Sequence, residues 1–225
     1  MKKLFSTVFA MAVASVTALG SAQAQAQDVK GDAKAGEKKV SMCMGCHGIV
    51  GYQSSFPEVY KVPKIAGQSE KYLVAALGAY RDGSRKHPTM RGIADSLSDQ
   101  DIADVSAYYA QLGKDPGATL PEKPSREPSA QVAALLQKGI CVSCHGANFS
   151  KPIDPSYPHL AGQHADYLFV ALKAYKTENN ANVGRSNGVM AGVAKQFTNA
   201  ELKALATYIG SLDGDIKTVP EARFR

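Results

Sequence analysis

Two five-residue runs in this chain can do chemistry: Cys43-Met44-Gly45-Cys46-His47 and Cys141-Val142-Ser143-Cys144-His145. Two residues between the thiols make one tight turn, which sets both sulfurs along one edge of a flat ligand. The same turn swings the following histidine towards that ligand's centre. Thiols so placed can add across the two vinyl groups of a haem, with the histidine as the proximal iron ligand. The two runs use every cysteine of the chain. A disulfide framework would also consume four cysteines, and four thiolates could bind zinc. Neither alternative calls for a histidine at the same place after each pair.

If iron is held from one side by His47 and His145, the opposite side decides between an electron carrier and a catalyst. Outside the first 26 residues only Met42, Met44, Met90 and Met190 could supply a thioether. Met42 and Met44 sit in or beside the first thiol turn, too close to reach the far face. Met90 and Met190 lie 43 and 45 residues beyond His47 and His145, each expected in a loop after the middle helix and each followed by x-Gly-x-Ala. They are the expected distal ligands, against the ordinary alternative of methionine as core filler. His87 is a rival to Met90, but the matching position in the second half is Asn187. His159 and His164 match Lys64 and Ser69 and are expected to make surface or local contacts.

Other residues could surround the iron ligands. The carbonyls of Pro63 and Pro158 could accept from Nδ1–H of His47 and His145, fixing ring orientation. Plain turn prolines are the alternative. Arg85 and Arg185 could pair with the anionic haem propionates, or be solvated at the surface. Gln68 and Gln163 are weaker propionate candidates. Tyr72, Tyr80, Tyr167 and Tyr175 read as core.

These residues recur because the chain repeats itself. Cys43 maps onto Cys141 at an offset of 98, and Pro63-Lys-Ile-Ala-Gly-Gln68 onto Pro158-His-Leu-Ala-Gly-Gln163 at an offset of 95. Tyr72-Leu73, Ala76-Leu77 and Tyr80 recur as Tyr167-Leu168, Ala171-Leu172 and Tyr175, and Arg85, Met90, Gly92 and Ala94 as Arg185, Met190, Gly192 and Ala194. Offsets that shift only between elements place the length differences in loops, so two homologous domains are expected.

Each domain reads as helical, an all-α fold wrapped around one covalent haem. The stripe Tyr72, Leu73, Ala76, Leu77, Tyr80 has helical period. Ser98-x-x-Asp101 and Thr198-x-x-Glu201 are matching capping boxes. Behind them lie apolar faces of Ile102, Val105, Tyr108 and Leu112, and of Leu202, Leu205, Ile209 and Leu212. Earlier helices are expected from Asp32 to Val40 and from about Ser129 to Lys138, and no sheet is expected. Small domains of this kind have small cores, so a haem would supply much of the missing interior.

The expected organisation is a signal segment at 1–26, a first domain at 27–113, a linker at 114–128 and a second domain at 129–225. Lys2 and Lys3 precede an apolar run from Leu4 to Gly20 and then small residues, with cleavage after Ala22, Ala24 or Ala26. An uncleaved anchor is the alternative, but the run is short and interrupted by Ser6, Thr7, Ser15 and Thr17. Export to the periplasm follows. The linker holds Pro116, Pro121, Pro124 and Pro128 and favours extended backbone, about 3.1 Å per residue. The formal charge of +6 includes the two signal lysines, a mild basic excess that excludes a nucleic-acid footprint. Lys30, Lys34, Lys38 and Lys39 would share a face if helical, as a solvated surface or as a dock for an acidic partner.

Both Cys-x-x-Cys-His runs, both Pro-x-[Ile/Leu]-Ala-Gly-Gln elements, both Tyr-Leu-x-x-Ala-Leu-x-Ala-Tyr helices and both late methionines together resemble the dihaem cytochrome c4 family, two tandem class I cytochrome c domains. The resemblance spans nearly all the chain beyond residue 26. One departure is Ala134, where these domains often want a small residue for helix crossing and the first repeat has Gly36. The resemblance implies two haem c groups, domains related by a pseudo-twofold axis and propionate edges meeting near the interface. It also implies electron delivery to a terminal oxidase, with a bc1 complex or a dehydrogenase upstream, and is compatible with peripheral association with the periplasmic face of the inner membrane. Competing readings are an electron-transfer subunit of a dehydrogenase complex, and a dihaem enzyme such as a peroxidase or thiosulfate dehydrogenase.

Overall fold

The computed structural model describes residues 29–117 and 119–220; the expected signal segment lies outside the described residues. The first domain contains α1 (Ala33–Glu37), α2 (Ser41–His47), α3 (Glu70–Asp82), α4 (Pro88–Asp95) and α5 (Asp99–Gln111). The second repeats the plan with α6 (Ala130–Lys138), α7 (Cys141–His145), α8 (Ala165–Ala174), α9 (Gly188–Lys195) and α10 (Asn199–Gly210). Four two-residue strands accompany them: β1 (Gln53–Ser54) with β2 (Tyr60–Lys61), and β3 (Arg85–Lys86) with β4 (Gly184–Arg185). Two-residue strands leave no alternating pattern for a sequence to show.

Local chemistry explains the helix ends. Ser98 and Thr198 accept from the N–H of Asp101 and Glu201, whose carboxylates return to the cap N–H, so both capping boxes are formed. Asp32 caps α1, accepting from the backbone N–H of Lys34 and Ala35, but the helix stops at Glu37 instead of running to Val40. A five-residue helix cannot hold four lysines on one face. Lys39 turns inward instead, 2.6 Å from Asp104 and 2.7 Å from Asp101.

Each domain packs its last helix across its first. In the first domain a Cβ on Gly36 would lie 2.1 Å from the Asp104 carbonyl oxygen, so only glycine allows this crossing. In the second domain Ala134 is exposed, and the neighbouring Leu135 and Leu136 are buried. The close approach at Gly36 thus has no counterpart at Ala134. The first core joins Val40, Met44, Leu73, Val105 and Tyr109; the second joins Leu135, Phe149, Phe197, Leu202, Leu205 and Leu212. Of the two tyrosines of α5, Tyr109 is buried, whereas the expected Tyr108 is only half-buried. Met44 is core filler, 2% exposed.

The linker lies along the second domain. Asn148 donates to the Pro121 carbonyl at 2.6 Å, Tyr208 to that of Arg126 at 2.9 Å, and the Asp213 N–H to Ser125 Oγ at 2.8 Å. The chain then returns to the first domain: Lys217 pairs with Ala66 through backbone hydrogen bonds of 2.9 and 3.3 Å, and Val219 packs against the first core. Gly67, at φ 80°, lets this strap close, since a Cβ there would lie 2.6 Å from the Asp215 carbonyl oxygen.

Asp104 is the polar anchor of the first domain. It is buried, and its carboxylate accepts from the Asp32 N–H at 2.8 Å, the Gln100 amide at 2.8 Å and the Lys39 ammonium at 2.6 Å. Burial opposes its ionisation, but these donors outweigh burial and hold its carboxyl below the ordinary range. Its contribution is therefore present above the ordinary carboxylate pKa and lost as pH falls through the lowered one. Asp104→Asn in the haem-loaded protein should lower the stability of this domain at neutral pH by about 3 kcal/mol, read as a drop in thermal midpoint. The gap to wild type should narrow below about pH 4. An unchanged midpoint at pH 7, or a gap indifferent to pH, contradicts this role.

Candidate haem sites

Helices α2 and α7 each carry the thiol turn, so one turn of helix sets the two cysteines and the histidine on one side. All four cysteines are free thiols, and among the described residues no group of three or more His, Cys, Asp or Glu side chains could hold a metal ion. Burial pushes the Cys43 thiol up to about 11 and that of Cys141 upward, the opposite of a thiolate zinc ligand.

The His47 ring is oriented by Pro63, with Nδ1 2.8 Å from its carbonyl oxygen. That bond assigns the proton to Nδ1 and leaves the Nε2 lone pair for a metal. Burial lowers the pKa of His47, the Pro63 carbonyl opposes, and the charge of Arg85 lowers it further, so the ring is neutral. His145 differs. Its Nδ1 is buried with no bonded partner; the Pro158 carbonyl is close enough only to offset in part the lowering by burial.

Met90 and Met190 are in helices, not loops: each is the third residue of a short helix, α4 or α9. Their backbones are pinned by the N-caps. Asn187 accepts from the Met190 N–H at 3.0 Å, and His87 accepts from the Met90 N–H through Nδ1 at 3.4 Å. The other His87 nitrogen lies 3.0 Å from the Tyr60 hydroxyl, so both are engaged and His87 is no rival ligand. A polar residue ahead of Pro88 at the first helical position could have announced this cap in the sequence.

The two sites open on one continuous cavity of about 650 Å³, lined by both thiol turns, both histidines and both methionines. Its walls include Leu73, Leu77, Leu168 and Leu172. Where the domains meet, β3 and β4 pair antiparallel with Arg85 opposite Arg185. Arg85 donates to the hydroxyls of Tyr72 at 3.2 Å and Tyr167 at 2.6 Å, and Arg185 to Tyr167 at 3.1 Å. Of the four tyrosines read as core, Tyr72 and Tyr167 are thus hydroxyl partners for a half-buried cationic pair, and Tyr80 and Tyr175 meet it with their rings. Among the described residues neither guanidinium has a carboxylate partner, and Arg85 Nε is buried without a hydrogen bond. Burial raises the Tyr167 phenol's pKa, but the two arginines outweigh it and bring it down to about 8. The centre lacks negative charge. An apolar cavity with free thiols, two imidazoles, of which that of His47 is oriented by Pro63, and a cationic end without a carboxylate partner among the described residues fits two haems and their propionates.

The glutamines do something else. Gln68 bonds both backbone groups of His159, donating to its carbonyl at 3.0 Å and accepting from its N–H at 2.8 Å. Gln163 does the same to Lys64, at 2.9 Å for each bond. Since Gln163 and His159 are the repeat counterparts of Gln68 and Lys64, exchanging the domains maps these contacts onto each other, as a pseudo-twofold axis requires. Gln68 and Gln163 are thus pins between the domains. His159 also binds Asp215 at 2.9 Å, the local contact expected of it, and His164 stands at the N-cap of α8.

The cytochrome c family pattern matches residues 33–113 and 129–213. The chain belongs to the cytochrome c family. It is 33% identical to a cytochrome c4 of Pseudomonas aeruginosa over 81% of this chain and 89% of that protein. It is 30% identical to a thiosulfate dehydrogenase electron acceptor of Thiomonas intermedia, over 77% of this chain and 79% of that protein. The crystal structure of reduced cytochrome c4 from Pseudomonas stutzeri aligns with a TM-score of 0.57 at 31% identity, over 81% of this chain and all of that one. This cytochrome is thus a mostly helical tandem of two haem-c-binding domains and an electron-transfer protein.

Gln163→Ala removes two hydrogen bonds between the domains of this cytochrome, each about 1 kcal/mol, and strands the backbone groups of Lys64. In calorimetry of the haem-loaded protein it should lower the melting temperature and split one transition towards two. A single transition at the wild-type temperature contradicts the pinning role.

Proposed function

We propose that this cytochrome is a periplasmic carrier with two closed irons: Cys43, Cys46, His47 and Met90 hold the first haem, and Cys141, Cys144, His145 and Met190 the second. The observation that carries this reading is that Met90 and Met190, on capped helices, line the same cavity as His47 and His145. Haem supplies one-electron exchange at iron, and thioether ligation favours the ferrous state and raises the potential. The chain's own part is to hold each imidazole neutral, to fix each methionine by its helix N-cap and to exclude water with the leucine walls. Ligands that stay in place between oxidation states leave little to reorganise. Arg85 and Arg185 bind the propionates and supply the positive charge the cavity concentrates between the domains. Among the described residues no helix is long and apolar enough to cross a membrane. The carrier passes electrons one at a time from a bc1 complex or a dehydrogenase to a terminal oxidase.

A second reading keeps the same sites and changes the donor. The similarity to a protein named as a thiosulfate dehydrogenase electron acceptor supports a carrier that receives electrons from an enzyme of sulfur oxidation.

Met90→Ala and Met190→Ala test the ligand assignment. Each should lower the potential of its own haem and open that iron to added imidazole or cyanide, leaving the other haem closed. Unaltered potentials and no binding of added ligand in both variants contradict the assignment.

A further inference from the structure

The repeat is broken at one atom. Tyr72 and Tyr167 are counterparts, as are Arg85 and Arg185, so equal domains would share their bonds equally. Instead Arg85 reaches across the interface to Tyr167 at 2.6 Å, closer than it approaches Tyr72 in its own domain at 3.2 Å. Arg185 adds a bond to the same phenol oxygen at 3.1 Å. Tyr167 therefore holds one guanidinium from each domain, and Tyr72 holds only one in all. Both arginines are half-buried, and both line the cavity shared by the two sites. Their other neighbours are aromatic: Arg85 lies 4.5 Å from the centre of the Tyr80 ring, and Arg185 5.4 Å from that of Tyr175. Arg85 Nε, buried and without a bonded partner, is the donor left for a group in the cavity.

We propose that Tyr167 is the positioning residue that couples the two haem sites, holding the arginine of each in one hydrogen-bonded unit. The inference rests on the reading of Arg85 and Arg185 as propionate partners. A change of charge at one site shifts its arginine. A phenol oxygen shared by both arginines passes that shift to the other, in surroundings of low dielectric where it is poorly screened. Tyr72, bonded to Arg85 alone, bridges no pair of arginines. The two haems then titrate as linked centres, and the link runs through one hydroxyl in the second domain.

The test is a stepwise reductive titration of the haem-loaded protein, followed by proton magnetic resonance of haem methyl signals assigned to each domain. Wild type, Tyr167→Phe and Tyr72→Phe are compared. In Tyr167→Phe both midpoints should move, and the dependence of each haem's midpoint on the other's oxidation state should fall at least twofold. In Tyr72→Phe the linkage should persist. Arg85→Lys keeps the charge but loses the fork, and should show the same loss of linkage as Tyr167→Phe. A Tyr167→Phe effect confined to the second haem, or linkage intact in either Tyr167→Phe or Arg85→Lys, overturns the inference. A wild-type protein without two methionine-ligated signatures overturns the reading of the sites instead, so the two failures are distinct.

Discussion

The structure depends on an interior that its own side chains leave open. Each domain is small, and its helices set leucines, thiols and an imidazole around a cavity of about 650 Å³ that the two domains share. A core of this size is marginal even when it is filled. The residues on the walls name what fills it: a flat apolar body on the leucines, a metal at the imidazole, and anions at the arginine pair. Cofactor and core are therefore one thing here. The same contacts that close the domain also fix the iron's surroundings, which is why stability and redox behaviour are tied.

Duplication supplies the second constraint. The interface is made from repeat counterparts facing each other: Arg85 against Arg185, Gln68 on His159, Gln163 on Lys64. Two like charges brought together and half-buried are unfavourable unless something anionic offsets them. With no carboxylate of the described residues on either arginine, that role falls to groups in the cavity. The pairing that joins the domains thus also brings the two arginines together.

Most of the fold was legible because repetition doubled every signal. The capping boxes and the stripe from Tyr72 to Tyr80 each appeared twice, and the structure forms those elements; the late methionines recur too, but on short helices where loops were expected. What the sequence hid was cross-domain in origin. Gln68 and Gln163 looked like propionate donors because nothing in the spacing reveals which backbone a buried amide meets. Tyr72 and Tyr167 looked like core because their apolar neighbours in the helix stripe are, and the guanidinium partners come from strands of only two residues. Lys39 read as a surface charge because the burial of Asp104, its partner, is set by a helix crossing at Gly36. The loss of that close approach in the second domain, where Ala134 is exposed, was equally invisible in the sequence.

The central claim is that both irons are closed by methionine. The most direct measurement is the red-region absorption of the fully oxidised, haem-loaded protein, quantified per haem for the charge-transfer band between methionine sulfur and ferric iron. The account predicts an intensity equal to two such bonds. An intensity for one bond or none would contradict it, leaving at least one iron open or bound by a different ligand.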